Sequence, residues 1–459
     1  MIEKNILQTQ KKFAGQKKFE NYLASFLNFE KLPKKNLFWL SNMEKLCALF
    51  SHPEKSFRCF HIAGSKGKGS VANFLASLAN EKGLKTGLYT SPHLLDFRER
   101  ITDGKNFFPN AIYKKSADEL FSTLEKNKKN FSRPLTWFEL VTLYAFLCFR
   151  NARVELAVLE VGMGGRLDAT NVVLPIASLI TKIELEHTEF LGNTLEKIAG
   201  EKAGIIKKHT PVFVACQSSE KVNKVFINRA KENDSPIFFV DKFGKILNCD
   251  FEKTKMNLRL QSKIFSFDIF AKLKMLGKVQ AENALHASLA FKYIFPETNK
   301  KIFERALSNA RLPARFQIEN FLWKQKNVKI IFDGAHTVSS VASNLETFKK
   351  VFPKKKYALL FSCASDKDVF HIARLFENTK IILTLPGYEK KSDTKKMIAA
   401  FTEAQKNFSF EKNIKKAFLL SLENAQKMNS PLLVIGSFYL VSEIFKIKQA
   451  LAEHDEKCL

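Results

Sequence analysis

Acidic residues are scarce beside basic ones: 46 Asp and Glu stand against 74 Lys and Arg, a formal charge of +28 on 459 residues. Cysteine is sparse as well. The seven cysteines (Cys47, Cys59, Cys148, Cys216, Cys249, Cys363 and Cys458) form no C-x-x-C pair and are odd in number. That excludes a zinc ribbon and argues against a disulfide framework, so the expected compartment is the reducing cytoplasm. Long apolar runs are missing. The longest apolar-looking stretch, Leu135 to Phe149, is interrupted by Glu139 and is too short to span a bilayer. Met1 to Lys18 is rich in Lys and Gln and has no apolar segment of the kind a secretory signal needs.

What is present points to an ordinary globular chain. A hydrophobic content of 45% excludes general disorder. The length asks for two or three domains, at roughly 100–200 residues each. The basic excess suggests an anionic partner, but it is mostly Lys, and it accompanies 44 Phe. Both have A/T-rich codons, so base composition explains the excess equally well. No RNP motif, helix-turn-helix pattern or zinc finger supports nucleic-acid binding.

After a basic tail over residues 1–18, apolar positions at helical spacing run from Phe19 to Leu27 and from Leu37 to Leu46. Short apolar runs then alternate with amphipathic stretches. Strands are expected at Cys59–Ala63, Thr86–Thr90, Leu156–Val161, Ala177–Ile183, Pro211–Ala215 and Pro236–Val240. This is the pattern of βαβ units on a largely parallel sheet. Phe251 to Phe270 alternates Lys with apolar residues and reads as short antiparallel strands, followed by a helix over Val279–Ile294. A second series begins at Lys329, with strands at Lys329–Phe332, Tyr357–Cys363, Lys380–Leu385 and Leu432–Ile435. Its helices are expected at Val338–Val351, Val369–Glu377, Lys395–Ala404 and Ile414–Lys427. The fold class is therefore α/β: an N-terminal domain with a mostly parallel sheet over 19–312 and a C-terminal Rossmann-like domain over 313–459.

The most informative segment is His61 to Ser70, HIAGSKGKGS, which follows a strand and precedes the helical run Val71–Leu78. Gly64, Gly67 and Gly69 let the backbone turn tightly and aim its N–H groups inward, and the helix N-terminus adds partial positive charge. Lys68 can reach outer phosphates, and Ser70 offers a hydroxyl to phosphate or metal. The strict G-x-x-x-x-G-K-[ST] pattern is broken twice, by Ile62 at its first Gly and by Gly69 after the Lys. A Gly-rich turn without ligand is the plain alternative.

Other segments join the loop. They are Ser91-Pro92-His93-Leu94, Thr136-Trp137-Phe138-Glu139, the twelve residues Glu160 to Asn171 (EVGMGGRLDATN), Glu186-His187, Ile198 to Ile205 (IAGEKAGI), Pro313-Ala314-Arg315, Asp333 to Thr337 (DGAHT), Asp366-Lys367-Asp368 and Gly436-Ser437. In this order the chain resembles the folylpolyglutamate synthase/dihydrofolate synthase family of the Mur ligase superfamily, and the resemblance covers most of its length. It departs from the family pattern at Lys66 (Asn in the family), Glu186 (Asp), Ala314 (Gly) and Thr337 (Asn).

The resemblance implies an enzyme: an ATP-dependent amide-forming ligase that adds L-glutamate to dihydropteroate, to the γ-glutamyl tail of reduced folates, or to both. A substrate carboxylate attacks the γ-phosphate of ATP, and the glutamate amine then attacks the acyl phosphate. Gly64, Ser65, Gly67, Lys68, Gly69, Ser70, Asn283, Arg315 and Asp333 are implied as nucleotide residues. Ser70, Ser91, Glu160 and His187 are implied as Mg²⁺ ligands, joined by Lys202 if its amine is carboxylated to a carbamate. Catalytic roles fall to Lys68, His187, Lys202 and His336. Thr136, Trp137, Phe138, Glu139, Leu167, Asp168 and Ala169 are implied on the pterin side, and His336 and Ser437 on the glutamate side. ATP is expected in the cleft between the domains.

Read bare, several of these have plainer roles. Glu201-Lys202 is a charged pair on a helix face, Asp168 is a turn or helix-capping aspartate ahead of Ala169, His187 is a structural histidine after an apolar strand, and His336 is a loop residue. The expected partners are small molecules, with no nucleic acid and no membrane, and the expected state is a monomer. Two other readings compete. A peptidoglycan-precursor ligase would need a UDP-binding domain, and the roughly sixty residues before Gly64 are too few for one. The other is a basic nucleic-acid-binding protein.

Overall fold

The structure, a computed structural model, describes residues 12–26, 28, 40–127, 131, 133–252, 254–377, 379–387 and 392–455. It divides into two compact units. The first runs to Asn248 and takes in Leu258–Lys272 and Gln280–Ala310; the second is Cys249–Asn257, Leu273–Val279 and the chain from Arg311 onward.

The first unit is built on seven strands: β1 (Arg58–Ala63), β2 (Thr86–Tyr89), β3 (Ile101–Thr102), β4 (Leu156–Glu160), β5 (Ala177–Ile180), β6 (Val212–Val214) and β7 (Ile237–Phe239). Their order is β3-β2-β4-β1-β5-β6-β7. Every neighbouring pair is parallel except β2 with β3. β2, β4, β5 and β6 are buried at every position, as strands covered on both faces must be, and so read as unbroken apolar runs.

β1 lies between β4 and β5. The chain leaves β1 for one side of the sheet, returns at β4 and continues on the other. The carboxyl ends of β1, β4 and β5 therefore meet at a topological switch point, the usual ligand position in such sheets. Register fixes this closely: Ile62 pairs with Glu160 and Ala63 with Ile180.

The apolar stretch around Glu139 is the buried helix Trp137–Ala152. A capping box starts it: Thr136 Oγ1 accepts from the Glu139 N–H, and the Glu139 carboxylate accepts from the Thr136 N–H. Its buried face packs Tyr144, Phe146 and Phe149 among other rings. The basic tail is shorter than the sequence suggests. Phe13 is buried and stacks on Tyr113 at 6.2 Å, and the helix Gln16–Ala24 already begins within residues 1–18, with Gln16 buried. Burial of one ring outweighs the surrounding Lys and Gln. Residues 1–11, Leu27 and Leu37 lie outside the described residues.

Strands β8 (Gly244–Glu252), β9 (Lys255–Ser262) and β10 (Ile269–Leu273) form a three-stranded sheet in the order β10-β9-β8. It begins at Gly244, ahead of the stretch where the alternation was read. The second unit's six-stranded sheet contains β11 (Gln317–Trp323), β12 (Lys326–Phe332), β13 (Ala358–Phe361), β14 (Ile381–Leu383), β15 (Phe408–Phe410) and β16 (Leu432–Ile435), in the order β11-β12-β16-β13-β14-β15. It is parallel except for the β11/β12 hairpin. The helices Val338–Val351 and Ile414–Lys427 lie where their periodicity placed them. β11 and β15 were not anticipated. Both are partly or largely exposed edge strands without a clean apolar run. The hairpin turn uses Lys324 and Gln325 at φ 46° and 62°, without the Asn-Gly or Asp-Gly that announces such turns.

Candidate active site

The loop after β1 is held from both sides. The Ser65 and Lys66 N–H groups donate to the Lys182 carbonyl at 2.9 and 3.2 Å, and Ser65 Oγ donates to the Glu184 carbonyl at 3.0 Å. Two glycines are required by their surroundings. A Cβ on Gly64 (φ 144°) would lie 1.8 Å from Thr181 Oγ1, and one on Gly67 (φ 92°) would lie 2.6 Å from Asn283 Oδ1. Asn283, placed by the helix Lys278–Ile294, thus sits directly against the loop. Gly67 starts the helix Lys68–Glu81 without any side-chain cap. The first N–H groups of that helix, from Lys68, Gly69 and Ser70, have no intrahelical acceptor, which suits an anion. Lys68 Nζ folds back onto the Gly64 carbonyl at 2.9 Å.

Lys202 meets the same carbonyl. It is buried on the helix Leu195–Ala203, and its Nζ donates to Gly64 O at 3.0 Å and to Glu186 Oε1 at 2.9 Å. Burial pushes the Lys202 amine down to about 8, with Lys68 and Lys66 adding to the fall and Glu186 opposing it. Burial alone would raise the Glu186 carboxyl, but Lys202 and Lys68 hold it at about 2. The sequence marked Lys202, yet it showed Glu186 only as a departure and gave no sign that the two pair.

Glu160 is buried at the end of β4, and its Oε2 accepts the Ser91 N–H at 3.0 Å. His187 is exposed at φ 46°, just ahead of the short helix Thr188–Leu191, and its charge is felt at Glu186. Among the described residues, no group of three or more His, Cys, Asp or Glu side chains gathers into a metal cage. Mg²⁺ does not need one: it keeps several waters and takes one or two carboxylates together with substrate phosphates. A single buried carboxylate beside a serine and an anion-ready loop fits that chemistry.

The glycine-rich motif after Glu160 is read by packing. A Cβ on Gly162 would strike the Phe138 ring at 2.4 Å, and one on Gly165 would lie 3.0 Å from Lys202 Cα. Asp168 is buried and its carboxylate takes four hydrogen bonds. Oδ2 accepts the Gly162 and Met163 N–H groups, and Oδ1 accepts the N–H and hydroxyl of Thr170. It also caps the turn Ala169–Val172. Burial raises its pKa against these donors. Thr136 and Glu139 serve the capping box, and Glu139 also pairs with Arg133 at 2.6 Å. Trp137 lies under the Arg100 guanidinium, 4.7 Å from its ring. Leu167 is half-buried and Ala169 buried.

In the second unit, Arg315, Asp333, His336 and Ser437 converge. Arg315 stacks over the Phe438 ring at 4.5 Å, and His336 packs against the same ring. Asp333 is buried, which raises its pKa while Arg315 opposes the rise, and it accepts the Phe316 and Ala335 N–H groups at 2.7 Å. His336 Nδ1 bonds the Gly334 carbonyl at 2.7 Å. Ser437 is buried, and its Oγ accepts the Tyr439 N–H at 3.1 Å.

Two family models match the chain in succession. The Mur ligase middle domain matches residues 62–291, and the Mur ligase glutamate ligase domain matches residues 314–438. The dihydrofolate synthase/folylpolyglutamate synthase of Bacillus subtilis is 30% identical over 425 residues, covering 89% of this chain and 94% of that protein. The chain belongs to the folylpolyglutamate synthase/dihydrofolate synthase family. It is an ATP-dependent ligase. Among solved structures, a folylpolyglutamate synthase of Thermotoga maritima is 27% identical with a TM-score of 0.79, covering 95% of this chain and 98% of that one. The Mycobacterium tuberculosis folylpolyglutamate synthase, solved with ADP and AMPPCP, is 25% identical with a TM-score of 0.84, covering 94% of this chain and 97% of that one. Neither the peptidoglycan-precursor reading nor the nucleic-acid reading is favoured by these matches. No helix among the described residues is long and apolar enough to cross a membrane.

The departures from the family pattern now have local explanations. Thr337 caps the helix Val338–Val351 through Oγ1, a task Asn performs equally well. Lys66 adds its charge to the loop. Glu186 reaches Lys202. Ala314, where the family has Gly, is buried at φ 56°, and its carbonyl accepts the Gly334 N–H at 3.0 Å. An L-residue there is strained by about 1–2 kcal/mol. Ala314→Gly should therefore raise stability to denaturant by about 1 kcal/mol, less the entropy a glycine adds to the unfolded chain. An unchanged or lowered unfolding midpoint would show that the strain is absent.

Proposed function

We propose that this ligase activates the carboxylate of dihydropteroate, of a reduced folate's γ-glutamyl tail, or of both, and joins it to L-glutamate. The observation that carries the reading is the uncapped helix N-terminus at Lys68, with the Lys202–Glu186 pair on the Gly64 carbonyl of its loop and Glu160 paired with Ile62 just before it. The loop N–H groups and Lys68 hold the ATP phosphates. A carboxylate oxygen attacks the γ-phosphorus, ADP departs, and the acyl phosphate is attacked by the glutamate amine, which loses its proton as phosphate leaves. Fixed positive charge at the loop stabilises the anions as they approach.

Asn283, Arg315 and Asp333 are the further nucleotide residues, and His336 and Ser437 hold glutamate. Thr136–Glu139 and Leu167–Ala169 form the pterin side; with the Asp168 oxygens already occupied, that segment acts mainly through its shape. Ser70, Ser91, Glu160 and His187 would hold Mg²⁺, which neutralises phosphate charge when bound. Lys202, lowered to about 8, is an amine suited to forming a carbamate, since only the neutral amine reacts with CO₂.

Phosphate release from ATP with Mg²⁺ and L-glutamate, measured with dihydropteroate and with tetrahydrofolate as acceptors, tests the reading. Turnover with at least one is expected; silence with both contradicts it.

The Glu186–Lys202 pair also predicts a pH dependence. The Glu186 carboxyl is depressed in the fold, so its stabilisation is present above about pH 4.5 and is lost as pH falls towards about 2. Lys202 is depressed too, so burying its charge costs stability below about pH 8, a cost relieved at higher pH. Glu186→Gln should lower stability at pH 7 by about 3 kcal/mol and flatten the loss between pH 4.5 and 2. Denaturant curves at pH 7 and pH 3 would show both changes. Equal acid sensitivity in the two proteins would refute the pairing.

A further inference from the structure

His61, the first residue of the glycine-rich segment and one given no role so far, lies under this site. His61, in the apolar strand β1, is fully buried, and burial drives its pKa down to about 3, so its ring is neutral. Its Nε2 lies 2.8 Å from Thr170 Oγ1, and its Nδ1 has no hydrogen-bond partner among the described residues. Thr170 Oγ1 lies 2.5 Å from Asp168 Oδ1.

The direction of this chain follows from donor counting. The other three groups on Asp168 are backbone N–H donors, and a proton on His61 Nδ1 would be buried with no acceptor, so the Thr170 hydroxyl hydrogen points to Oδ1. Thr170 Oγ1 can then only accept from His61. That places the imidazole proton on Nε2 and leaves Nδ1 bare. His61 thus orients Thr170, and Thr170 orients Asp168. Asp168 holds the N–H groups of Gly162 and Met163, the turn that leaves Glu160 and packs Gly162 on Phe138.

We infer that His61 is a positioning residue for the acceptor side of the ligase site, acting through Thr170 and Asp168 on the turn at Gly162–Met163. This rests on the reading of that segment as the pterin side. A core histidine serving stability alone would be replaceable by an apolar residue without a selective effect on one substrate.

The test uses the full chain. His61→Leu should raise KM for the pterin or folate acceptor about tenfold, with nucleotide affinity within twofold of the parent. His61→Gln, whose amide N–H reaches the place of Nε2, should restore most of the loss. Thr170→Val should reproduce it and Thr170→Ser should not, which keeps the test decisive if His61→Leu does not fold. Hydrogen exchange at the Gly162 and Met163 amides should quicken in His61→Leu and Thr170→Val. A proportional fall in every kinetic parameter, a Gln variant no better than Leu, or unchanged exchange overturns the inference. Should the parent turn over neither acceptor, the functional reading fails separately, and the exchange rates together with the ¹⁵N shifts of His61, expected to show the Nε2–H tautomer, still decide the hydrogen-bond chain.

Discussion

Lys68→Ala removes turnover and leaves the fold standing. The Lys68 side chain donates to the Gly64 carbonyl, and it lies half-exposed at the loop. Losing that hydrogen bond costs about 1 kcal/mol, a fall of roughly 2–4 °C in Tm at most for a unit of this size. The catalytic loss is far larger. A fixed cation beside transferring phosphates acts in the transition state, and removing such a donor costs about 10²–10³-fold in kcat. A kcat near the parent value in a folded variant would mean that the phosphates bind elsewhere.

Gly64→Ala is the second large effect, and it acts on the fold itself. The new Cβ would lie 1.8 Å from Thr181 Oγ1 and 2.9 Å from the Thr181 backbone nitrogen, at φ 144°. Rotating Thr181 does not remove the backbone contact, so β1 and β5 must part where Ala63 pairs with Ile180. Overpacking together with left-handed strain costs about 3 kcal/mol or more. The Gly64 carbonyl, which receives both Lys68 and Lys202, is displaced with them, so activity falls as well. Gly200→Ala is the control. A Cβ there meets nothing within 4 Å on the helix Leu195–Ala203 and should stabilise it by about 1 kcal/mol. Equal urea midpoints for the two variants would contradict the packing argument.

The sequence exposed the features that local physics controls. Buried parallel strands announce themselves as apolar runs, and the helices Val338–Val351 and Ile414–Lys427 follow from their period alone. The loop at Gly64–Ser70 is legible because only glycine tolerates Gly67 at φ 92° against Asn283. Contacts distant in sequence were not legible. Glu186 looks like a conservative replacement until the fold brings it 2.9 Å from Lys202. Asp168 looks free to meet a ligand until four donors close on it. His61 carried one faint signal, a polar residue inside an apolar strand, but its partner is Thr170, 109 positions away. The edge strands β11 and β15 stayed hidden because exposure removes the alternation by which strands are read. The +28 charge found no nucleic-acid motif, and base composition accounts for it as well as attraction of anionic substrates does.

The central claim is that this chain activates a carboxylate by phosphorylating it. The acceptor should be prepared with oxygen-18 in its carboxylate and turned over with ATP and L-glutamate, and the released phosphate examined by mass. The account predicts that one labelled oxygen passes from each acceptor molecule to the phosphate as the amide forms. Unlabelled phosphate accompanying amide formation would contradict it.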